Sequence, residues 1–411
     1  MKLRIVFLSR EFPPDTQWGG QAVACYDMAE ILAKNGNRVS VICQAVGKQS
    51  IKIVDDVFVY RVGRNPQRYS VLSTLDYAVH SIVMLWKICA RERSVVVEGF
   101  LFGIDVFLCS ALKKLKMLRM PLIIHAHGSL RYALLYSSPS KSLFGPIALK
   151  LLVHLAEFSA RNCDKVVAIS PAMREELVKI SKADINRVTL LLNPRNTVKF
   201  AAINSNVRDE LDISHDDKMI LAVGRLETRK GSHILSRAIP KVLVEFPRAK
   251  FVFLGEDSPM ASYSSFKEYL MDIAKKTRSE HSIRFIDKVN ETKLTELYSA
   301  SDVVVSASMH EISTSIPLEA MLCGKPVVVT ATGLANELCL DGSNGVVVEP
   351  GNPTELANAI VRMLSLTIED KLRIAQINRR IIETKFSFIE WAEKVKGLHS
   401  GVFGERINEI S

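Results

Sequence analysis

Residues 302–328 read DVVVSASMHEISTSIPLEAMLCGKPVV, and this stretch decides the fold. A short apolar run at 303–305 predicts a buried strand, and a polar loop follows it. The run 317–323 predicts a short helix, with a proline at its start and Gly324 directly after its last residue. A second apolar run at 327–329 predicts the next parallel strand. The stretch therefore indicates an α/β unit in which a polar loop leads from a strand into a helix.

Two carboxylates frame this loop. Glu311 lies on the loop, and Glu319 follows eight residues later on the predicted helix. A helix amino terminus at the carboxyl end of a parallel strand favours bound anions, because free backbone N–H groups point outward there. The sequence therefore predicts a ligand site with a glutamate on either side of it.

This pattern resembles the two glutamates, with seven residues between them, of the retaining family 4 glycosyltransferases. In that family the second glutamate opens a run that here reads EAMLCGKPV. The resemblance implies that Glu319 accepts hydrogen bonds from the ribose of a donor and that Glu311 contacts the hydroxyls of the donor sugar. The family usually has Phe-Gly after the first glutamate, whereas this chain has two hydroxyl residues whose backbone N–H groups would serve there. The loop residues predicted to bind the donor are Ser313, Thr314 and Ser315.

A basic motif precedes this stretch. The run GRLETRKG, residues 224–231, follows a predicted apolar strand and leads into a helix predicted over 232–246. Glycines at both ends allow a tight bend, and a helix amino terminus favours anions. The planar guanidinium of Arg225 and the ammonium of Lys230 would together neutralise a diphosphate, although a solvated basic loop is the alternative. The motif resembles the element with which the family grips the donor diphosphate, which implies this role for Gly224, Arg225 and Lys230.

The amino-terminal part of the chain begins with a similar arrangement. An apolar run at 3–8 predicts a strand, and a helix is predicted over 21–35 after a loop with Gly19 and Gly20. Paired glycines let a phosphate or a sugar approach the backbone closely, and a plain tight turn is the alternative. In the family such a pair faces the bound substrates, so Gly19 and Gly20 are predicted to bind the donor.

The sequence HAHG, residues 125–128, ends another predicted strand. Two histidines could ligate a metal, but no third ligand lies near them in the sequence, and structural packing is the alternative. Family members carry a histidine at this strand end, near the donor sugar. The resemblance therefore implies a catalytic role for His127 and a packing role for His125.

The length of 411 residues predicts two domains, with three as the alternative, and the polar stretch 196–217 predicts a domain boundary. We expect an acceptor-side domain over 1–195 and a nucleotide-sugar-binding domain over 196–385. A helix of about residues 386–411 is expected to pack back on the first domain. The resemblance implies the GT-B fold, in which two doubly wound, Rossmann-like α/β domains face each other across a cleft.

The net charge of +10 favours anionic partners. A nucleotide sugar and an anionic membrane surface both fit, whereas no motif indicates nucleic acid. A helix predicted over 103–120 is basic in its later part, which favours contact with an anionic membrane, with a solvated helix face as the alternative. The basic residues on it are Lys113, Lys114, Lys116 and Arg119.

The seven cysteines are scattered without metal-ligand spacing, which indicates reduced thiols in a cytoplasm. The amino-terminal apolar run is too short for a signal peptide, and no apolar stretch is long enough to predict a spanning helix. We therefore expect a cytoplasmic protein, with peripheral attachment at the inner face of the membrane as an alternative.

The resemblance implies a retaining transferase that moves a sugar from a nucleoside diphosphate sugar to the hydroxyl of a sugar or lipid-linked acceptor. Polysaccharide, lipopolysaccharide or glycolipid synthesis would be its setting. Arg225 and Lys230 would replace a divalent metal, and the chain has no Asp-x-Asp motif, so neither a metal nor another cofactor is expected. Two alternatives stay open. One is a sugar-nucleotide epimerase of the same fold, and the other is a non-catalytic nucleotide-sugar-binding protein.

Overall fold

The computed structural model describes residues 3–14, 20–63, 71–90, 94–101, 103–128, 145–195, 200–260, 262–313, 315–339 and 342–410. The chain divides into two compact units. The first is Met1–Arg195 together with Phe388–Ser411, and the second is Asn196–Ser387. A largely parallel sheet forms the centre of each unit.

The described part of the first unit contains an eight-stranded sheet. Its strands are β1 (Arg4–Leu8), β2 (Arg38–Gln44), β3 (Ser50–Val54), β4 (Val57–Val62), β5 (Val95–Phe100), β6 (Leu122–Ala126), β7 (Lys165–Ala168) and β8 (Val188–Leu190). Their order is β3-β4-β2-β1-β5-β6-β7-β8, and only β3 is antiparallel to its neighbour. The chain winds outward in both directions from β1, so the gap between β1 and β5 is the topological switch point of this sheet.

Helices connect these strands, as a parallel sheet requires. They are α1 (Gly20–Lys34), α2 (Val71–Cys89), α3 (Ile104–Lys114), α4 (Gly145–Arg161) and α5 (Pro171–Lys179). Helix α5 shows how the sequence sets a boundary. The hydroxyl oxygen of Ser170 accepts a hydrogen bond from the N–H of Met173 at 3.2 Å, and Pro171 occupies the first helical position.

The described part of the second unit contains a six-stranded parallel sheet. Its strands are β9 (Met219–Val223), β10 (Lys250–Leu254), β11 (Ile283–Ile286), β12 (Val303–Ser306), β13 (Val327–Thr330) and β14 (Gly345–Val348). Its helices are α6 (Val207–Glu210), α7 (Ser232–Glu245), α8 (Phe266–Lys276), α9 (Glu291–Ala300), α10 (Ser315–Leu322), α11 (Ala335–Leu338), α12 (Pro353–Leu364) and α13 (Ile368–Lys385). The order β11-β10-β9-β12-β13-β14 places the switch point between β9 and β12. The predicted succession of strand, polar loop, helix and strand is confirmed as β12, loop, α10 and β13.

The last helix, α14 (Phe388–Ile410), belongs to the first unit. Its Trp391 is buried in the core of that unit. The buried Glu98 on β5 accepts a hydrogen bond from Nε2 of His399 on α14 at 2.7 Å and another from Nε2 of His125 on β6 at 2.6 Å. A carboxylate held between two imidazoles therefore ties α14 to the first sheet.

The structure corrects two expectations about the first unit. The sequence analysis does not predict β3, because this edge strand is short and mostly exposed. The basic helix predicted over 103–120 ends at Lys114, and Lys116 has a φ of +59°, a conformation that stops a right-handed helix. None of the described helices combines the length and apolar content that a membrane crossing requires.

Candidate active site

The loop 224–231 lies at the carboxyl end of β9, beside the end of β12. It contains a 3₁₀ turn, Thr228–Lys230, and leads into α7. Gly231 has a φ of +69°, and a Cβ atom there would lie 1.8 Å from the carbonyl oxygen of Ala307. Only glycine therefore allows the loop to approach the end of β12 so closely. The motif thus lies at the switch point of the second sheet, where ligands bind in open α/β folds.

A second close approach joins β9 to β10. Gly224 follows β9 with a φ of +137°, and Gly255 follows β10 with a φ of +152°. A Cβ atom at Gly255 would lie 2.1 Å from the carbonyl oxygen of Gly224. The predicted position Gly224 thus requires Gly255 as a partner, which the sequence motif alone did not reveal.

The carboxylate of Glu311 is the centre of a charged cluster at this switch point. Its Oε1 atom accepts hydrogen bonds from Nζ of Lys230 at 2.6 Å, from Nη1 of Arg229 at 3.2 Å and from the hydroxyl of Ser308 at 3.1 Å. The Glu311 side chain is only 8% exposed. The structure therefore brings the predicted Glu311 and Lys230, 81 residues apart, into direct contact.

Arg225 lies outside this cluster. Its guanidinium is 60% exposed, and its nearest carboxylate among the described residues belongs to Glu227, with Nη2 and Oε2 3.7 Å apart. Arg229 is the arginine of this loop that lies beside Glu311. It also donates to Oε1 of Glu227 at 2.7 Å. Sequence reasoning missed Arg229, although its position next to Lys230 was the signal that could have identified it.

Glu319 lies on α10, which begins at Ser315. Its Oε2 atom accepts a hydrogen bond at 2.8 Å from the hydroxyl of Tyr298, a buried residue of α9. Ser313 lies half-buried in the loop before α10. Among the predicted donor-binding residues, Thr314 and Gly19 lie outside the described residues.

His127 belongs to the first unit and directly follows β6. Its ring packs edge-on against Phe100, with 5.0 Å between the ring centroids. Its Nε2 atom is buried, and the described residues provide no hydrogen-bond partner for it. Burial, aided by the nearby His125 and Arg195, lowers the pKa of His127 well below its ordinary value. The ring is therefore neutral at neutral pH, with one nitrogen available for a hydrogen bond to a ligand.

The geometry can be compared with known proteins. Residues 18–198 match the Glycosyltransferase Family 4, and residues 204–380 match the Glycosyl transferases group 1. Over 383 residues the chain is 30% identical to an uncharacterized glycosyltransferase of Methanocaldococcus jannaschii. The matched region covers 88% of this chain and 89% of that protein. The chain belongs to the family 4 glycosyltransferases. The predicted resemblance is thus confirmed, and the protein is a transferase enzyme.

Solved structures show the same fold for this glycosyltransferase. Sucrose-phosphate synthase from Thermosynechococcus elongatus superimposes with a TM-score of 0.77 at 17% identity, covering 98% of this chain and all of that one. HepE from Anabaena, solved in complex with UDP-glucose, gives a TM-score of 0.72 at 20% identity. The superposition covers 97% of this chain and 100% of that one. The expected GT-B fold, with two parallel-sheet α/β domains, is therefore confirmed.

The first unit of the glycosyltransferase has a cavity of about 190 Å³ at its own switch point, between the ends of β1 and β5. Arg10 and Asp105 line this cavity. The guanidinium of Arg10 donates to the side-chain oxygen of Gln44 at 2.6 Å and to the hydroxyl of Thr74 at 2.9 Å. Sequence reasoning missed this cavity, because its lining comes from several separate segments, among them the loop after β1, α2 and α3, and shares no local motif.

The described residues of the glycosyltransferase contain no group of three or more His, Cys, Asp or Glu side chains placed to hold a metal ion. Gly20 begins α1 in the first unit, as the predicted loop-to-helix arrangement requires.

Tyr298 is the other functional candidate that sequence reasoning missed. It lies 21 residues before Glu319 on a separate helix, so only the folded chain brings the two together.

Proposed function

We propose that this glycosyltransferase moves a sugar from a nucleoside diphosphate sugar to an acceptor hydroxyl, with retention of configuration at the anomeric carbon. One observation carries the proposal, namely the contact of Glu311 with Lys230 and Arg229 at the switch point of the second sheet. The UDP-glucose complex of Anabaena HepE, which has the same fold, supports a nucleotide sugar as the donor.

The cations of this cluster would hold the leaving diphosphate. As the bond between the anomeric carbon and the phosphate oxygen breaks, negative charge grows on that oxygen. Lys230 and Arg229 are already fixed beside Glu311 and need little rearrangement to stabilise this charge. The exposed Arg225 would close on the diphosphate from the solvent side.

Glu311 would contact the donor sugar with its second oxygen. The hydrogen bonds from Lys230, Arg229 and Ser308 all end on Oε1. Oε2 receives no hydrogen bond from the described part of the chain, so it can accept one from a sugar hydroxyl. The cations thus orient the carboxylate and leave one of its oxygens to the substrate.

Glu319 would bind the ribose of the donor. The hydrogen bond from Tyr298 fixes the orientation of its carboxylate, so Tyr298 is a positioning residue. Ser313, Thr314 and Ser315 would supply backbone N–H groups and hydroxyls to the donor, close to the start of α10.

Retention needs no covalent intermediate in this scheme. The bond from the anomeric carbon to the phosphate oxygen breaks, and the bond to the acceptor oxygen forms on the same face of the sugar. The proton of the acceptor hydroxyl passes to the departing phosphate oxygen. No metal is required, because the side-chain cations supply the positive charge. His127 of the first unit would donate a hydrogen bond to a substrate hydroxyl.

The acceptor would be bound by the first unit. The cavity beside β1 offers the guanidinium of Arg10 and the carboxylate of Asp105, which suit an acceptor rich in hydroxyls. We infer a sugar or lipid-linked acceptor, as in polysaccharide, lipopolysaccharide or glycolipid synthesis, handled in the cytoplasm or at the inner face of an anionic membrane. Membership in a glycosyltransferase family argues against the two alternatives, an epimerase and a non-catalytic binding protein.

A panel of nucleoside diphosphate sugars tests the proposal. Each donor is incubated with the full chain, and release of the nucleoside diphosphate is followed with and without simple sugar acceptors. We expect turnover of one donor class, loss of turnover in Glu311→Gln, and normal turnover in Glu245→Gln, which alters an exposed glutamate at the end of α7. Conversion of the donor into an isomer would identify an epimerase, and binding without turnover would identify a binding protein.

A further inference from the structure

Helix α2 is apolar on the face that points away from the core. Its buried face carries residues such as Tyr77 and Leu85. Its opposite face carries five exposed large apolar side chains, which are Leu72, Leu75, Val79, Val83 and Trp86. Leu72 is 74% exposed and Trp86 is 50% exposed. Steps of three and four residues place these five side chains in one stripe, about 21 Å long, which we call the α2 stripe.

Such a stripe is unusual on a helix that covers a sheet. The outer face of a helix of this kind normally carries charged and polar residues, because it meets water. Single exposed apolar residues are common, whereas a contiguous row of large ones marks a surface that binds something. The α2 stripe therefore indicates a partner that removes it from water.

The charges around the stripe indicate which partner this is. Helices α2 and α3 pack against each other, and both run antiparallel to the strands they connect, so both end at the same edge of the sheet. Lys87 near the end of α2 is exposed, as are Lys114, Lys116 and Arg119 at the end of α3 and just beyond it. Leu115 and Met117, between these cations, are exposed as well. This edge is therefore both basic and apolar.

Within α2 and α3, acidic groups do not offset this charge. The acidic residues of α2 and α3 are Asp76, whose Oδ1 atom lies 3.3 Å from Nδ1 of His80, and the buried Asp105. Lys113 forms an ion pair with Asp164 at 2.6 Å, so this predicted membrane cation is occupied within the protein. The ammonium of Lys114 lies 5.1 Å from the ring of Phe158 and stays exposed to solvent.

We propose that the α2 stripe is a membrane-binding surface that lies in the interface of an anionic bilayer, with Lys87, Lys116 and Arg119 at the lipid phosphates. Large apolar side chains enter the boundary between headgroups and acyl chains, and Trp86 stands at the basic end, where an amphipathic ring favours the headgroup region. Neighbouring cations and the net charge of +10 attract an anionic surface and oppose the pairing of two such surfaces. Membrane binding by the stripe can be measured without any assay of sugar transfer, so failure of this proposal is distinguishable from failure of the proposed reaction.

Co-sedimentation with vesicles tests the apolar part. The full chain and a variant with Val79→Gln and Val83→Gln are mixed with vesicles of phosphatidylcholine and phosphatidylglycerol. Loss of these two aliphatic groups should weaken binding at least about tenfold. Val244→Gln is the matched control, because Val244 is 75% exposed on α7 of the second unit, and it should bind like the wild type. Equal thermal unfolding of the three proteins shows that folding is intact.

The basic part has its own variant. Lys87→Gln together with Lys116→Gln should weaken binding to the anionic vesicles roughly tenfold or more and leave binding to pure phosphatidylcholine vesicles unchanged. Lys241→Gln, at an exposed position of α7, is the matched control. Equal loss on both vesicle types would contradict the electrostatic contact.

Trp86 reports the contact directly. The fluorescence difference between the wild type and Trp86→Phe should shift to the blue when anionic vesicles are added. Absence of vesicle binding by the wild type would overturn the proposal. So would vesicle binding as strong as that of the wild type in the double variant Val79→Gln, Val83→Gln. A wild-type dimer in analytical ultracentrifugation that dissociates in this double variant would also overturn it, because the α2 stripe would then bind a second copy of the chain.

Discussion

Replacing Lys230 by alanine should reduce turnover as well as donor affinity. The Nζ atom of Lys230 lies 2.6 Å from Oε1 of Glu311, so the ammonium is fixed at the switch point before any donor binds. A hydrogen bond to a charged group contributes about 1.5–3 kcal/mol. The contact with the diphosphate should strengthen while the glycosidic bond breaks, so its loss acts on kcat and not only on KM.

A loss of about 3 kcal/mol corresponds to roughly a 10²-fold decrease in kcat. Steady-state kinetics at saturating donor measure this decrease. Folding should stay intact, because Glu311 keeps its hydrogen bonds from Arg229 and Ser308, and circular dichroism verifies this. Lys241→Ala, at an exposed position of α7, is the matched control and should keep the wild-type kcat.

The companion variants separate the three cations. Arg229→Ala should reduce kcat to a similar degree, because its guanidinium contacts the same oxygen of Glu311 at 3.2 Å. Arg225→Ala should have the smaller effect on kcat, because this side chain is mostly exposed. An unchanged kcat in both Lys230→Ala and Arg229→Ala would mean that the loop 224–231 does not contact the leaving group, and our placement of the donor would be wrong.

Four further predictions follow from the same structure. Glu319→Ala should weaken binding of the cognate nucleoside diphosphate in calorimetry, whereas Glu311→Ala should spare it and reduce turnover, and equal weakening would mean that their roles are misassigned. Activity should survive EDTA, and loss of activity that Mg²⁺ or Mn²⁺ restores would refute the metal-free mechanism. Gly231→Ala should lower the unfolding temperature, because the added Cβ would collide with Ala307. Gly397→Ala on α14 is the contrasting variant, because a Cβ there would meet no atom within 4 Å, and it should raise stability by about 0.5–1 kcal/mol. Burial alone would raise the pKa of Glu98, but His399 and His125 lower it from 4.5 to about 2. The wild type should therefore lose of the order of 3 kcal/mol of stability as the pH falls through this range. Glu98→Gln should lose less stability over the same range, which acid unfolding measures.

Local patterns predicted the parts of the fold that single segments determine. The strands β1, β12 and β13 were predicted to within one residue of the bounds that the structure shows, because each is a compact apolar run. The exposed strand β3 lacks such a run, and its pairing with β4 alone defines it. The end of α3 was also placed too late, because leucine and lysine beyond Lys114 favour a helix while the backbone at Lys116 does not continue it.

In the candidate site, too, residues within contiguous motifs were predicted, whereas contacts between separate segments were not. The glutamates and the Gly-Arg…Lys-Gly loop are contiguous motifs, so the sequence places Glu311 and Lys230 on loops that meet at one edge of a sheet. The hydrogen bond from Tyr298 to Glu319 joins two separate helices and leaves no local pattern. The choice between Arg225 and Arg229 depends on a single 3₁₀ turn, Thr228–Lys230, which directs Arg229 toward Glu311. Such details depend on how the backbone turns, which residue types alone do not determine.

The most direct test of the central claim, retaining transfer from a nucleoside diphosphate sugar, is proton NMR of the reaction while it proceeds. The full chain is mixed with the donor identified in the panel and with an acceptor, and the anomeric proton of the first-formed product is recorded. We predict that the product has the anomeric configuration of the donor sugar and that nucleoside diphosphate appears at the same rate. A first-formed product of inverted configuration would contradict the account.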